Sequence, residues 1–148
     1  MLFRSSEKIW LSPLSASPRH KRAERTAMGC LDILPWEQLK EDPFGTSSAG
    51  INSAGNNSDG IYSGDIFAGG PFFALETGGT PLEDFTFPPK GLLIAGSEEL
   101  GVSPEALATA DSSLGRVSIP TWGAKGSLNV SVAFGIVMQA WAKSLLFH

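Results

Sequence analysis

Two segments of this chain, residues 92–103 and 117–133, combine residue types suited to binding a small polar molecule. Each passes from an apolar, strand-like run into a glycine-containing loop, where bare backbone N–H and C=O groups can come close to a ligand. The first loop adds the carboxylate of Glu98, and the second adds the hydroxyl of Ser127 and the amide of Asn129. This pattern predicts a pocket that holds a small polar cofactor mainly through the main chain.

Each of these residues also has a purely structural interpretation. Gly96 and Gly101 are explained equally well as turn glycines, and Glu98 as a solvated loop acid. Ser127 is a natural N-cap for the last helix. Asn129 is polar at the start of an apolar helix, so it needs a hydrogen-bond partner if it is buried. The sequence alone leaves both interpretations open.

The two segments resemble the second and third signature motifs of the SpoU (TrmH-like) RNA methyltransferases of the SPOUT class. The matching residues are Gly96-Ser97-Glu98-x-x-Gly101-x-Ser103, and Ile119-Pro120 through Ser127-Leu128-Asn129-Val130-Ser131-Val132-Ala133. Weaker similarity reaches back to Phe72–Gly79, so the resemblance covers about Pro71 to Trp141. Members of this family transfer a methyl group from S-adenosylmethionine to a ribose 2′-oxygen of tRNA or rRNA.

The resemblance implies a fold, a cofactor and a set of site residues. The implied fold is an α/β domain, with a mostly parallel sheet flanked by helices and a trefoil knot towards the C-terminus. The implied contacts to S-adenosylmethionine are made by Ala95, Gly96, Gly101, Ile119 and Leu128. The implied catalytic residues are Glu98, Ser127 and Asn129.

One part of the family pattern has no match in this sequence. The first motif of the family, an Asn…Arg pattern near the N-terminus of the domain, supplies the arginine that helps remove the 2′-OH proton. No asparagine of this chain opens such a pattern, so the sequence resembles a family domain that is incomplete at its N-terminus. Two alternatives to an active enzyme follow: a non-catalytic knotted module that binds cofactor or RNA or only dimerises, and a truncated product that folds poorly.

Charge is distributed unevenly along the chain. The formal net charge is −4, yet basic residues outnumber acidic ones in the first thirty positions. We predict an RNA-contacting patch there, formed by Arg19, Lys21, Arg22 and Arg25. A solvated basic helix face or a frayed terminus would give the same composition.

Composition excludes several other classes of site. The single cysteine, Cys30, rules out an internal disulfide, and with only His20 and His148 beside it the chain has no zinc-ligand spacing. Cys30 is better explained as a small buried residue. The longest apolar run, Val130 to Trp141, is too short to span a bilayer. We therefore predict no metal, no membrane association and a cytoplasmic location, with organelle targeting left open.

Short strands alternating with helices predict the α/β layers that position the two loops. We expect a single domain over 1–148, with a flexible Gly/Ser/Asn-rich insertion at about 44–60. The expected strands are Lys8–Leu11, Phe72–Leu75, Gly91–Ala95 and Val117–Ile119, with a turn at Thr77–Pro81. The expected helices are Arg19–Met28, a short turn from Leu34 that Pro43 ends, one capped by Ser103 and reaching about Ala110, and one capped by Ser127 and reaching about Leu146.

The last of these helices is apolar on nearly every face. Such a helix must be buried both against its own sheet and against a second surface. A second copy of the chain is the simplest candidate, which predicts a homodimer.

Overall fold

The computed structural model describes residues 8–21, 24–25, 32–44, 70–122 and 126–146. The chain divides into two compact units, Met1–Gly45 and Thr46–His148, and each is described by itself. The predicted insertion at 44–60 lies outside the described residues after Phe44.

The first unit contains a pair of short parallel strands. Strand β1 (Ile9–Leu11) pairs with β2 (Trp36–Gln38), and Ile9 lies opposite Trp36. Backbone bonds extend the ladder at both ends: the Ile9 N–H donates to the Pro35 carbonyl at 3.0 Å. The strand expected near Lys8–Leu11 is thereby confirmed.

The helical turn expected from Leu34 is wrong, because the chain there forms β2. A single helical turn fixes several residues for few hydrogen bonds, whereas pairing with β1 supplies a partner for each strand residue. Of the helix expected at Arg19–Met28, Lys21, Glu24 and Arg25 are helical, and the Glu24 N–H donates to the His20 carbonyl at 3.0 Å. Residues 22–23 and 26–28 lie outside the described part.

The described residues of the second unit form a three-stranded parallel sheet with two helices. The strands are β3 (Phe72–Pro81), β4 (Leu92–Ala95) and β5 (Arg116–Ser118), and the helices are α1 (Pro104–Asp111) and α2 (Val130–Leu146). The spatial order is β4-β3-β5, with both pairs parallel. This confirms the α/β class predicted from the sequence, while the knot stays a prediction.

A turn was expected at Thr77–Pro81, but the chain there belongs to the central strand β3. Residues 76–79 of this strand, called the β3 excursion, have no partners in the ladder with β5. The register shifts inside the strand, so that Leu75 and Thr80 both pair with Val117. A Cβ added to Gly79 would lie 2.6 Å from a carbonyl oxygen of β5, so only glycine permits this approach. The predicted turn is therefore wrong: the extra residues form an irregularity within a longer strand.

Helix α1 begins as its sequence predicts. The Ser103 Oγ accepts a hydrogen bond from the Ala106 N–H at 3.3 Å, and Pro104 occupies the first turn. The helix ends at Asp111, one residue beyond the expected Ala110.

The core of the second unit lies between the sheet and α2. Phe73, Val117 and Val137 are fully buried at its centre. The Trp141 ring packs edge-on against Phe73 with ring centroids 4.9 Å apart, and its indole N–H donates to the Pro88 carbonyl at 2.7 Å. This packing fixes the orientation of α2 against β3, and therefore the position of its N-terminus.

Among the described residues, no helix combines the length and the apolar character needed to cross a membrane. The same residues contain no cluster of three or more His, Cys, Asp or Glu side chains arranged to hold a metal ion.

Candidate functional site

A single carboxylate connects the two loops singled out by the sequence. Glu98 Oε1 accepts a hydrogen bond from the Val130 backbone N–H at 2.9 Å and another from Asn129 Nδ2. Residues 98 and 129 are 31 positions apart, and β4 and α2 bring them into contact. The loop after β4 therefore meets the N-terminus of α2.

The segment Gly96–Val102, hereafter the β4 loop, is closed by its own backbone. Ser97 and Gly101 exchange two backbone hydrogen bonds of 3.1 Å, and Ser97 Oγ accepts from the Leu100 N–H at 3.0 Å. Gly101 has φ of +67°, and a Cβ on Gly96 would lie 2.0 Å from the Gly101 carbonyl carbon. Both glycines are thus required for the loop to close, whatever the loop binds.

Asn129 is the N-cap of α2. Its carbonyl accepts from the Ala133 N–H at 2.9 Å, and its side-chain Oδ1 accepts from the backbone N–H groups of Ser131 at 3.1 Å and Val132 at 3.3 Å. The Ser131 hydroxyl also donates to Oδ1 at 2.7 Å. The predicted capping role of Ser127 is therefore wrong, since α2 begins three residues later. Asparagine and serine cap equally well, but only asparagine also offers an N–H to Glu98.

The predicted cofactor contacts lie beyond the carboxyl ends of parallel strands. Ala95 is the exposed last residue of β4, and Ile119 directly follows β5, half-buried against the core. Leu128 is 40% exposed and Ser127 is also exposed, both just before α2. Since β4 and β5 are both parallel to β3, their carboxyl ends lie at the same edge of the sheet, where ligands bind in open α/β folds.

Sequence reasoning missed Glu76, which lies in the excursion of β3. Its Oε2 accepts from the Val102 N–H at 3.3 Å, and its Oε1 accepts from the Thr77 N–H at 2.9 Å and the Thr77 hydroxyl at 3.1 Å. A Cβ on Gly101 would lie 2.9 Å from Oε2. The available signal was a lone acid directly after the apolar run that begins β3.

The pKa of Glu76 lies below its ordinary value. Partial burial by itself would raise this pKa, but it is outweighed by the hydrogen bonds from Thr77 and Val102 and by the positive charge of Arg116. Glu76 is therefore held as a carboxylate that accepts hydrogen bonds from Thr77 within β3 and from Val102 at the end of the β4 loop.

The predicted RNA-contacting residues belong to the first unit. Arg19 contacts the Asp32 carboxylate at 3.3 Å and lies 3.9 Å from Glu24. Lys21 and Arg25 are exposed, and Arg22 lies outside the described residues. The positive charge of Arg19 is thus partly compensated within its own unit.

A shallow, open depression of about 330 Å³ lies on the second unit, lined by Gly78, Gly79, Thr80, Asp111 and Arg116. Arg116 binds the Asp111 carboxylate through two nitrogens, at 2.9 and 2.5 Å. The predicted site residues do not line this depression. It is a feature of the β3 excursion and not of the two signature loops.

Comparison with known proteins matches residues 67–139 to the SpoU rRNA Methylase family. Over 55 residues the chain is 46% identical to the tRNA (guanosine(18)-2′-O)-methyltransferase of Aquifex aeolicus, an alignment that covers 37% of this chain and 24% of that enzyme.

The fold is similar to solved structures of the same group. A Porphyromonas gingivalis protein assigned to the TrmH family of RNA methyltransferases superimposes with a TM-score of 0.68 at 26% identity, covering 91% of this chain and 48% of that one. The SpoU methyltransferase AviRb of Streptomyces viridochromogenes, solved with S-adenosylmethionine, gives a TM-score of 0.71 at 20% identity, covering 95% and 51%. This chain thus spans about half the length of these two structures and a quarter of the Aquifex enzyme.

Proposed function

With residues 67–139 identified as a segment of the SpoU (TrmH-like) methylase family, we propose that the protein is an S-adenosylmethionine-dependent RNA methyltransferase acting on a ribose 2′-oxygen of tRNA or rRNA. We also propose that residues 1–148 act as one methyltransferase domain. The observation that carries this proposal is the contact of Glu98 with Asn129 and Val130, which joins the two signature loops.

The chemistry of this junction fits the proposed cofactor. Helix N-termini commonly bind phosphate groups, but at the start of α2 the Glu98 carboxylate takes the backbone N–H of Val130. A second anion there would be repelled, which disfavours a phosphate-bearing cofactor. S-adenosylmethionine lacks phosphate and carries a positive sulfonium. Ala95, Gly96, Gly101, Ile119 and Leu128 would hold it, and when bound it would supply the methyl group.

Transfer to a ribose hydroxyl requires the acceptor to be oriented in line and its proton to be removed. We propose that Glu98, Ser127 and Asn129 form the polar side of the pocket. Glu98 would accept a hydrogen bond from the ribose, and Asn129 would hold Glu98 in place through its Nδ2. Ser127, exposed two residues before the cap, would contribute its hydroxyl.

The substrate RNA would be held by Lys21, Arg22 and Arg25, together with Arg19 once its contact with Asp32 is exchanged for phosphate. Binding of this kind weakens steeply with salt, because each phosphate contact releases condensed counterions. The predicted cytoplasmic location fits such a substrate and stays a prediction.

We also propose a homodimer formed through α2. The helix buries Ala133, Val137 and Met138 inside its own unit, while Val132 remains 54% exposed and Ile136 37% exposed. These two apolar residues are four positions apart and therefore share one face of the helix. Ile136→Glu is expected to shift the protein to monomer in sedimentation equilibrium, whereas Leu145→Glu, which is 49% exposed and lies nine positions along α2 on the opposite face, leaves the dimer intact.

One observation favours a non-catalytic module instead. Both Glu98 and Asn129 are engaged in starting α2, and the sequence has no match to the Asn…Arg motif of the family. A loop junction of this kind could bind cofactor or RNA without transferring a methyl group.

The two functions are separated by calorimetric titration with S-adenosylhomocysteine followed by a tritiated-methyl transfer assay on bulk tRNA and rRNA. The enzyme binds the cofactor product and labels RNA in alkali-resistant, ribose-methylated linkages. The module binds but does not label. If wild-type protein shows no binding heat at millimolar ligand, the enzyme and the cofactor-binding module both fail. The same assay on Glu98→Gln tests the proposed role of Glu98. Glu83→Gln, at an exposed acid of the same unit, is its matched control.

A further inference from the structure

The β4 loop is fastened by carboxylates from two directions. Glu98, within the loop, reaches outward to the start of α2. Glu76, from β3, reaches inward to the Val102 N–H at the end of the loop. Between these two contacts, the paired backbone bonds of Ser97 and Gly101 make the loop one closed unit.

Glu76 contacts the β4 loop at its end, at Gly101 and Val102. Its carboxylate fits against Gly101, where any Cβ would come within 2.9 Å of Oε2. Its other oxygen accepts both donors of Thr77, so the side chain cannot swing away without breaking hydrogen bonds at both ends. A shift of Glu76 would therefore move Gly101 and Val102, and with them the loop that carries Glu98.

The surrounding charges keep Glu76 in its accepting state. Arg116 of β5 is the positive group that acts on it, and Arg116 is in turn oriented by its two-point contact with Asp111 at the end of α1. The ionised carboxylate accepts at both oxygens and never needs to donate, which matches a setting with N–H and O–H donors only.

We propose that Glu76 is a positioning residue of the cofactor site: by holding the Val102 N–H against β3, it sets the place of the β4 loop and thereby of Glu98. This inference rests on the proposed function for the identity of the ligand, but the loop contact itself can be tested without it.

The test compares Glu76→Ala, Glu76→Gln and Glu76→Asp with two controls. Glu83→Gln changes an exposed acid in the same unit. Trp141→Phe weakens the core by removing the indole hydrogen bond to Pro88, without touching the β4 loop.

Two readouts are measured on the full chain: amide hydrogen exchange at Val102 and affinity for S-adenosylhomocysteine by calorimetry. Glu76→Ala is expected to speed exchange at Val102 and to weaken binding about tenfold, which corresponds to about 1.4 kcal/mol. Glu76→Gln keeps one acceptor oxygen and is expected to lie between Glu76→Ala and wild type. Glu76→Asp keeps the charge but is one methylene too short, so it is expected to resemble Glu76→Ala.

A general loss of stability gives a different pattern. Trp141→Phe is expected to lower the melting temperature while leaving Val102 exchange and ligand affinity near wild type. If Glu76→Ala leaves both readouts unchanged, or if Trp141→Phe changes them equally, Glu76 is not a positioning residue. If wild-type protein binds no S-adenosylhomocysteine, the proposed function fails, while the exchange measurement still decides whether Glu76 holds the loop.

Discussion

Substituting Asn129 separates its role as a helix cap from its role at the proposed site. Asn129→Ala removes the Oδ1 that accepts from Ser131 and Val132 and the Nδ2 that donates to Glu98. Loss of an N-cap costs about 1 kcal/mol. The hydrogen bond to the charged Glu98 is exposed, so water competes for it, and it adds about 0.5 to 1 kcal/mol, below the roughly 1.5 to 3 kcal/mol of bonds to charged groups in general. Together these effects lower the free energy of unfolding by about 1.5 to 2 kcal/mol, or about 5 °C in melting temperature.

Asn129→Ser is the informative partner of this variant. Serine accepts from the same N–H groups and caps about as well as asparagine, so most of the stability is retained, with a loss of about 0.5 to 1 kcal/mol. Serine has no N–H to offer Glu98. We therefore expect Asn129→Ser and Asn129→Ala to lose methyl transfer to the same large extent while differing in stability.

Thermal and urea unfolding, together with the tritiated-methyl assay, measure both quantities. Ser127→Ala is the control for capping and should leave the melting temperature within about 1 °C, since Ser127 is not the cap. If Asn129→Ser unfolds as easily as Asn129→Ala, the capping argument is refuted. If transfer falls only in proportion to stability in both variants, Asn129 has no role beyond the helix.

Three further predictions concern the β4 loop. Gly96→Ala places a Cβ 2.0 Å from a backbone carbon, so urea unfolding should show a loss of about 3 kcal/mol or more, whereas Gly135→Ala, in open space on α2, should gain about 1 kcal/mol; equal effects would contradict the loop geometry. Folding lowers the pKa of Glu76, so its contribution to stability is complete above its ordinary pKa of 4.5 and is lost as pH falls through the lowered value. When the free energy of unfolding is measured against pH, Glu76→Ala should therefore reduce its slope in this acid range. An unchanged slope would contradict this. Glu98→Gln keeps an acceptor for α2 but removes the negative charge from its N-terminus, so thermal unfolding should show a loss of about 0.3 to 1 kcal/mol that shrinks in high salt; a loss independent of salt would show that the charge is not responsible.

The features predicted correctly from sequence depend on neighbouring residues. The Ser103-Pro104 start of α1 is determined within one helical turn, and the strand at Leu92–Ala95 is a short apolar run between loop residues. Local preference alone was sufficient for both, because each element contains its own start or stop signals.

The features predicted wrongly depend on distant partners. Strand β2 exists because β1, more than twenty residues earlier in the chain, offers a parallel ladder, and three residues carry no periodicity that would reveal it. Likewise β3 continues past its glycines because Val117 pairs with it twice. The sequence of residues 72–81 alone cannot reveal that a strand farther along the chain will pair with them.

The capping of α2 connects these two cases and bears directly on the site. Ser127 and Asn129 have nearly the same capping preference, so local rules could not choose between them. Glu98 favours Asn129 as the cap, because its carboxylate accepts hydrogen bonds from the Asn129 side-chain amide and the Val130 N–H. The residue that starts the helix is thus specified partly from the β4 loop, 31 positions away. This contact stabilises the fold and joins two of the three proposed catalytic side chains, so it is difficult to alter without affecting both folding and catalysis. Only variants that keep the cap, such as Asn129→Ser, can therefore distinguish catalysis from folding.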